Sequence, residues 1–161
     1  MENCVIQEIT YIDEFLNLCE LASKSKHPNA SNYNVDQMKK RWNKYLIITK
    51  LIKGDEVIAF SGLYDYGNNL VRVVDRLYIE QKYRYNFMTK SIANPIKPAL
   101  QYFIPYQTQW AIEKGYDCFF SIQTKRKRNA MERLTNQLDP SLGYRLPVSY
   151  THLTLPTRRF V

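Results

Sequence analysis

Between Tyr45 and Ile79 the chain holds three successive β-rich runs, joined by turns too short for anything but a hairpin. Tyr45–Ile52 leads through Lys53-Gly54-Asp55 into Val57–Tyr66, and Gly67-Asn68-Asn69 leads into Leu70–Ile79. That commits the middle of the molecule to an antiparallel meander, whose apolar faces need cover from other elements. In the third run, strict alternation puts Val71, Val73, Asp75, Leu77 and Ile79 on one face. Arg72, Val74, Arg76, Tyr78 and Glu80 take the other. Asp75 is the anomaly, a carboxylate in an aliphatic row. A buried carboxylate without a partner is costly. Asp75 is therefore either paired with an Arg or Lys inside the fold or held there as a general base.

The flanks change period. Cys4–Ile9 reads as a first strand, and Thr10 with Asp13 resembles an N-terminal cap. Ile12, Phe15, Leu16, Cys19 and Ala22 then recur at helical spacing. Ser23–Tyr33 is a polar loop, and Asn34 caps a second helix with Val35, Met38, Trp42 and Tyr45 on one side. After the meander, Gln81–Phe103 carries Pro95 and Pro98 without a sustained period and reads as a long functional loop. Ile104–Lys114 predicts a helix with Pro105 in its first turn and Gly115 closing it. Cys118–Gln123 predicts a buried strand, Lys125–Arg128 a basic run into a helix near Asn129–Gln137, and Gly143–Leu146 the start of a last strand. The helix before Cys118–Gln123 suits a right-handed parallel crossover from Leu70–Ile79. The fold class is α/β (α+β): a mixed, mostly antiparallel sheet flanked by helices.

Composition narrows the function classes. With 161 residues, 45% hydrophobic and 24% charged, the chain suits one domain with a packed core and excludes global disorder. No apolar run approaches the roughly 20 residues that span a bilayer. Met1–Cys4 lacks the basic and apolar regions of a secretory signal, and Cys4, Cys19 and Cys118 lack metal-site spacing. Reduced thiols in a cytoplasmic protein are expected. A net charge of +8 favours anionic partners, among them nucleic acid, phosphate-bearing cofactors and acidic surfaces.

Val148–Thr157 reads Val-Ser-Tyr-Thr-His-Leu-Thr-Leu-Pro-Thr and resembles a translated transposase-type sequencing adapter. The domain is therefore taken as 1–147, with 148–161 set aside as a non-native tail. Without Arg158 and Arg159 the charge falls from +8 to +6, and His27 is the remaining histidine. The expected consequence is a truncated C-terminal strand and an association-prone sheet edge.

The element order resembles that of the GNAT N-acetyltransferase superfamily, and local sequence agrees. Leu77-Tyr78-Ile79-Glu80-Gln81-Lys82-Tyr83-Arg84 looks like the family's fourth strand and the approach to its acyl-CoA loop. Trp110–Asp117 resembles the end of its third helix, and Asn129-Ala130 and Gly143-Tyr144 fall at family-like positions. The resemblance implies transfer of an acetyl or other acyl group from coenzyme A to a small-molecule or peptide amine, with acetyl-CoA as co-substrate. It implies that main-chain groups at Tyr78 and Ile79 receive the pantetheine arm. Arg84, Tyr85, Asn86 and Asn129 become the residues on the phosphate side, with Arg84 as a charge clamp. Glu80 and Asp75 become the candidate bases.

One departure matters. The family's loop carries small residues where this chain has Phe87 and Thr89, and there is no glycine between Gly67 and Gly115. A Cβ at those places obstructs close approach of a phosphate. A second reading therefore stands beside the first: a non-enzymatic GNAT-like module that has lost coenzyme A binding and presents its basic, Tyr-rich surface to nucleic acid or a protein.

Overall fold

The structure is a computed structural model and describes residues 4–25, 30–84 and 96–120. Five strands form one sheet in chain order: β1 (Cys4–Glu8), β2 (Tyr45–Lys53), β3 (Glu56–Gly67), β4 (Leu70–Ile79) and β5 (Asp117–Phe119). The first three pairings are antiparallel, and β4 with β5 is parallel, so the sheet is mixed as the sequence predicts. Asn68 and Asn69 both take positive φ (53° and 66°) in the β3–β4 turn, the conformation a tight hairpin needs.

Helices α1 (Ile12–Ser23) and α2 (Val35–Arg41) cover one face. Phe15, Cys19 and Ala22 of α1 pack with Met38 of α2, Tyr33, and Ile48 and Phe60 of the sheet. Asn34 caps α2 as expected, its Oδ1 accepting from the Gln37 amide at 3.2 Å. The expected cap at Thr10 and Asp13 is not formed. The N-cap of α1 is Tyr11, without a side-chain cap bond, because the Ile9 amide is still in the sheet, donating to Ile48 O at 2.7 Å. Asp13 and Glu14 lie in the first turn instead, where negative charge suits the helix dipole.

Helix α3 (Ile104–Glu113) covers the other face. Ile104 and Ala111 pack there on Ile47, Leu63, Val71, Val73 and Cys118. Gly115 follows at φ 85° and closes the helix. The reading of Gln81–Phe103 as loop throughout is corrected at both ends. Gln81–Tyr83 is a 3-10 turn, and Pro98–Phe103 is a wide π turn running straight into α3. Pro98 sits in the first turn of that segment, where its missing N–H costs no helical bond. Phe103 is fully buried beside Leu51, Ile58, Ala59 and Tyr83.

The alternation expected for β4 fails in its middle. Tyr64 faces Arg72, Gly62 faces Asp75 and Phe60 faces Tyr78, so β4 carries two extra residues relative to β3, in one double bulge around Asp75. Val74 and Arg76 take left-handed φ values of 58° and 53° at this bulge. Val73 and Val74 both pack on the α3 side, Leu77 and Ile79 return to it, and Asp75 is turned to the α1–α2 side. Asp75 therefore does not sit in the aliphatic row.

The last element of the expected order lies partly outside the described residues. β5 is seen over Asp117–Phe119, while its predicted continuation, the basic run 125–128, the helix near 129–137, the strand start at 143–146 and the tail at 148–161 fall outside them.

Candidate functional site

The bulge lies in β4 just past its described pairing with β5. Their parallel ladder joins Leu70 to Asp117, Val71 to Cys118 and Arg72 to Phe119. Among the described residues it ends there, whereas β4 runs on to Ile79. The sequence reading expects the two strands to diverge near Ile79, and the residues after Phe120 that would lie beside that stretch fall outside the described ones. Beyond Arg72, three main-chain groups of β4 are met by side chains. The Val74 amide donates to Gln107 Oε1 at 2.8 Å, the Tyr33 hydroxyl donates to Leu77 O, and Arg84 Nε donates to Ile79 O.

Gln107 of α3 ties the bulge to the rest of the sheet. Its side chain is fully buried, and Nε2 lies 2.9 Å from Thr49 Oγ1 on β2 and 3.0 Å from Ser61 Oγ on β3. One amide thus reaches three strands from the helix above them. The sequence reading did not single out Gln107. Its signal was there only as a polar residue between Ile104 and Ala111 on the buried side of α3.

Asp75 is 2% exposed and its two oxygens are engaged. Oδ2 accepts from Arg41 Nη2 and from the Tyr45 hydroxyl, both at 2.6 Å, and Oδ1 lies 3.6 Å from Arg72 Nη1. The guanidinium of Arg41 also stacks over the Tyr64 ring at 4.2 Å. Tyr45 reaches Asp75 by crossing β3 at Gly62. A Cβ built on Gly62 would lie 2.4 Å from the Tyr45 ring, so only glycine leaves room for the phenol. Burial pushes the Tyr45 phenol well above the usual tyrosine range and the Asp75 charge adds to it, so Tyr45 stays a proton donor. Of the two readings of Asp75, this geometry is that of the paired carboxylate.

At the far end of β4, the Glu80 amide still pairs with Ile58 O at 2.8 Å, while Glu80 Oε2 is buried with no hydrogen-bond partner among the described residues. Tyr78 turns its ring onto Phe60 and Tyr33, with centroids at 5.5 and 5.8 Å. Its side chain is thus part of the packing under α1 and α2. Arg84 folds back, its guanidinium 5.5 Å over the Tyr78 ring and its Nε on the Ile79 carbonyl. Tyr78, Ile79, Glu80 and Arg84 are thus brought together at one strand end, with Asp75 across the bulge. Tyr85, Asn86 and Asn129 lie outside the described residues.

No family model matches the chain, and no curated protein matches it. Solved structures do. The PaiA N-acetyltransferase of Thermoplasma acidophilum, crystallised in complex with coenzyme A, aligns over 91% of this chain and 92% of its own at a TM-score of 0.55 and 12% identity. A probable acetyltransferase of Staphylococcus epidermidis aligns over 84% and 82% at 0.49 and 12% identity. A GNAT-family acetyltransferase of Streptococcus pneumoniae aligns over 88% and 90% at 0.47 and 16% identity. With the strand order, the parallel β4–β5 pair and the bulge, the likeness to PaiA defines the class of fold. The chain has the GNAT acyl-CoA N-acyltransferase fold.

Proposed function

We propose that this protein is a GNAT-fold acyltransferase that moves an acetyl or related acyl group from coenzyme A to an amine. The observation that carries this reading is the bulged β4 beside a parallel β5, in a fold shared with a protein crystallised on coenzyme A. A bulged strand turns main-chain donors and acceptors out of its ladder, where an extended amide-bearing arm can meet them. Tyr78 and Ile79 are the residues whose backbone would take the pantetheine. Arg84, Tyr85, Asn86 and Asn129 would take its phosphates, with Arg84 exchanging the Ile79 carbonyl for an oxyanion.

The thioester supplies an activated carbonyl carbon. The amine nitrogen bonds to that carbon, the C–S bond breaks, and the surplus proton on the nitrogen passes to the departing sulfur, so coenzyme A leaves as the thiol. The chain's own part is to position the partners and to handle the proton. An alkylammonium must lose a proton before it attacks, and we assign Glu80 to accept it, because Oε2 is buried and unpartnered at the end of β4. Asp75 is assigned to positioning, since its oxygens hold Arg41 and Tyr45 in place.

The test is thiol release from acetyl-CoA by the full chain across a panel of primary amines, beside calorimetric titration of coenzyme A. Acceptor-dependent release is expected, reduced by about 10²–10⁴-fold in Glu80→Gln with binding of coenzyme A retained. No release with any amine, together with no binding heat, overturns the enzyme. In that event the non-enzymatic module takes its place.

A further inference from the structure

The side of β4 that faces α1 and α2 carries more positive charge than the fold neutralises. Arg41 and Arg72 face one buried acid, Asp75, and Arg76 follows it in the strand, close enough to act on the same Tyr33 phenol. Arg41 takes that acid at 2.6 Å and shares it with Tyr45. Arg72 comes no nearer to it than 3.6 Å, and its Nε is buried without a hydrogen-bond partner among the described residues. Arg76 goes further still. Its Nε is likewise buried and unpartnered, and its side chain makes no hydrogen bond or ion pair among the described residues. Three guanidinium groups against one carboxylate leave an excess of two positive charges, drawn partly out of water.

Such an arrangement needs an explanation. A buried guanidinium nitrogen without an acceptor is among the costlier states a side chain can occupy. Arg76 is held in a left-handed backbone conformation at φ 53°, which a non-glycine residue adopts at a further cost. Glu80, the next acid along the strand, has its own buried Oε2 unpartnered and so does not supply the counter-charge. Arg76 also lies close to the Tyr33 phenol. Burial pushes that phenol upward, and the charges of Arg76 and Arg84 pull against it.

We propose that Arg76, assisted by Arg72, is the receptor for an oxyanion, a carboxylate or a phosphate, carried by the acyl acceptor. A planar guanidinium with free N–H groups matches such an oxyanion in geometry as well as in charge. Position favours the acceptor over the coenzyme as its source. Arg72 pairs with Phe119 of β5 and Arg76 lies on the bulge four residues further on, whereas the assigned phosphate side of the coenzyme begins after Ile79. The substrate class that follows is an amine that also bears an acidic group, such as an amino acid or an amino-sugar phosphate. Neutral or polycationic amines are disfavoured by the same charges. This assignment rests on the acyltransferase reading for the identity of the ligand, but the anion site itself does not.

The test is thermal melting of the full chain with inorganic phosphate and, separately, with coenzyme A, both at fixed ionic strength. Wild type, Arg76→Gln and Arg72→Gln are compared. Phosphate is expected to raise the melting temperature of wild type, with apparent affinity at least about tenfold weaker in Arg76→Gln and more modestly weaker in Arg72→Gln. The coenzyme A response is expected to persist in both variants. Because Arg76 has no hydrogen-bond or ion-pair partner to lose among the described residues, Arg76→Gln is expected to melt no lower than wild type without ligand, which separates lost binding from lost folding. No phosphate response in wild type, or an unchanged one in both variants, overturns the site. Loss of the coenzyme A response together with the phosphate response overturns the acceptor as source and gives the oxyanion to the coenzyme. A phosphate response that needs Arg76, in a protein that ignores coenzyme A, supports the anion site and retires the acyltransferase reading.

Discussion

Replacing Gln107 by Met tests whether the bulge in β4 is held from above by α3. Met conserves length and volume, so the cavity contribution is small and the change isolates the hydrogen bonds. The substitution removes the acceptor that the Val74 amide uses at 2.8 Å and the donor that reaches Thr49 and Ser61 at 2.9 and 3.0 Å. An amide left without its partner costs about 1–3 kcal/mol, and each deprived hydroxyl adds a fraction of that. Thr49 keeps its own bond to Ser61 O at 3.3 Å, which limits the second contribution. The expected loss is therefore about 2–4 kcal/mol. In urea unfolding followed by circular dichroism, that lowers the midpoint by about 1–2 M with the slope unchanged. Gln109→Met is the control on the same helix. Gln109 is exposed and bonded only to Glu113, so its replacement is expected to stay within about 0.5 kcal/mol of wild type. A loss below about 1 kcal/mol in Gln107→Met would refute the reasoning, because the Val74 amide would then have found another partner.

Three further outcomes are expected. Gly62→Ala places a methyl 2.4 Å from the Tyr45 ring and is expected to cost about 1–3 kcal/mol, relieved in part by a second change, Tyr45→Leu, in a double-mutant cycle. Asp75→Ala strips Arg41 and Tyr45 of their shared acceptor and is expected to cost about 2–4 kcal/mol by denaturant unfolding, less than a fully buried pair because Arg41 keeps some access to water. Stability is expected to fall with rising pH above about 9. Burial pushes the Cys19 thiol up from 9.0 to about 12, and raises the Tyr33 and Tyr45 phenols above the usual 10.0. These groups hold their protons in the folded state while the unfolded chain releases them. Their contribution is complete below pH 9 and declines above it by about 1.4 kcal/mol per pH unit for each group passing through its window. Urea midpoints measured between pH 7 and 11 check this, and a flat profile would contradict the burial of these side chains.

Much of the framework is legible in the residues. Alternation and the paired asparagines fix the meander, and Leu70–Ile79 is found with the bounds its sequence implies. The apolar stripe from Ile12 to Ala22 gives α1, and Asn34 and Gly115 mark helix ends because their chemistry suits those backbone conformations. The bulge is not legible. Val74 and Arg76 are unfavourable in left-handed backbone, and a regular pattern of valines hides the two extra residues. That concealment sends Asp75 to the wrong face on paper, and with it the identity of its neighbours. Arg41 lies 34 residues away in sequence, and only the folded sheet brings it to Asp75. The π turn at Pro98–Phe103 is obscured by Pro95 and Pro98, which read as breakers although Pro98 opens a helical segment. Glu80 is found at the strand end where the sequence puts it, but its buried, unpartnered oxygen is a property of packing alone. Gln107 escapes notice for the same reason, since a glutamine in an amphipathic helix is ordinarily at the surface.

The central claim is that the stretch of β4 beyond Arg72 receives the coenzyme. Backbone amide NMR on the labelled full chain, titrated with coenzyme A, addresses it residue by residue. Saturable shifts concentrated at the amides from Val73 to Glu80, with Cys4–Glu8 on the opposite edge of the sheet unmoved, are the predicted result. Binding without perturbation of that stretch, or no perturbation at millimolar coenzyme A, would contradict it.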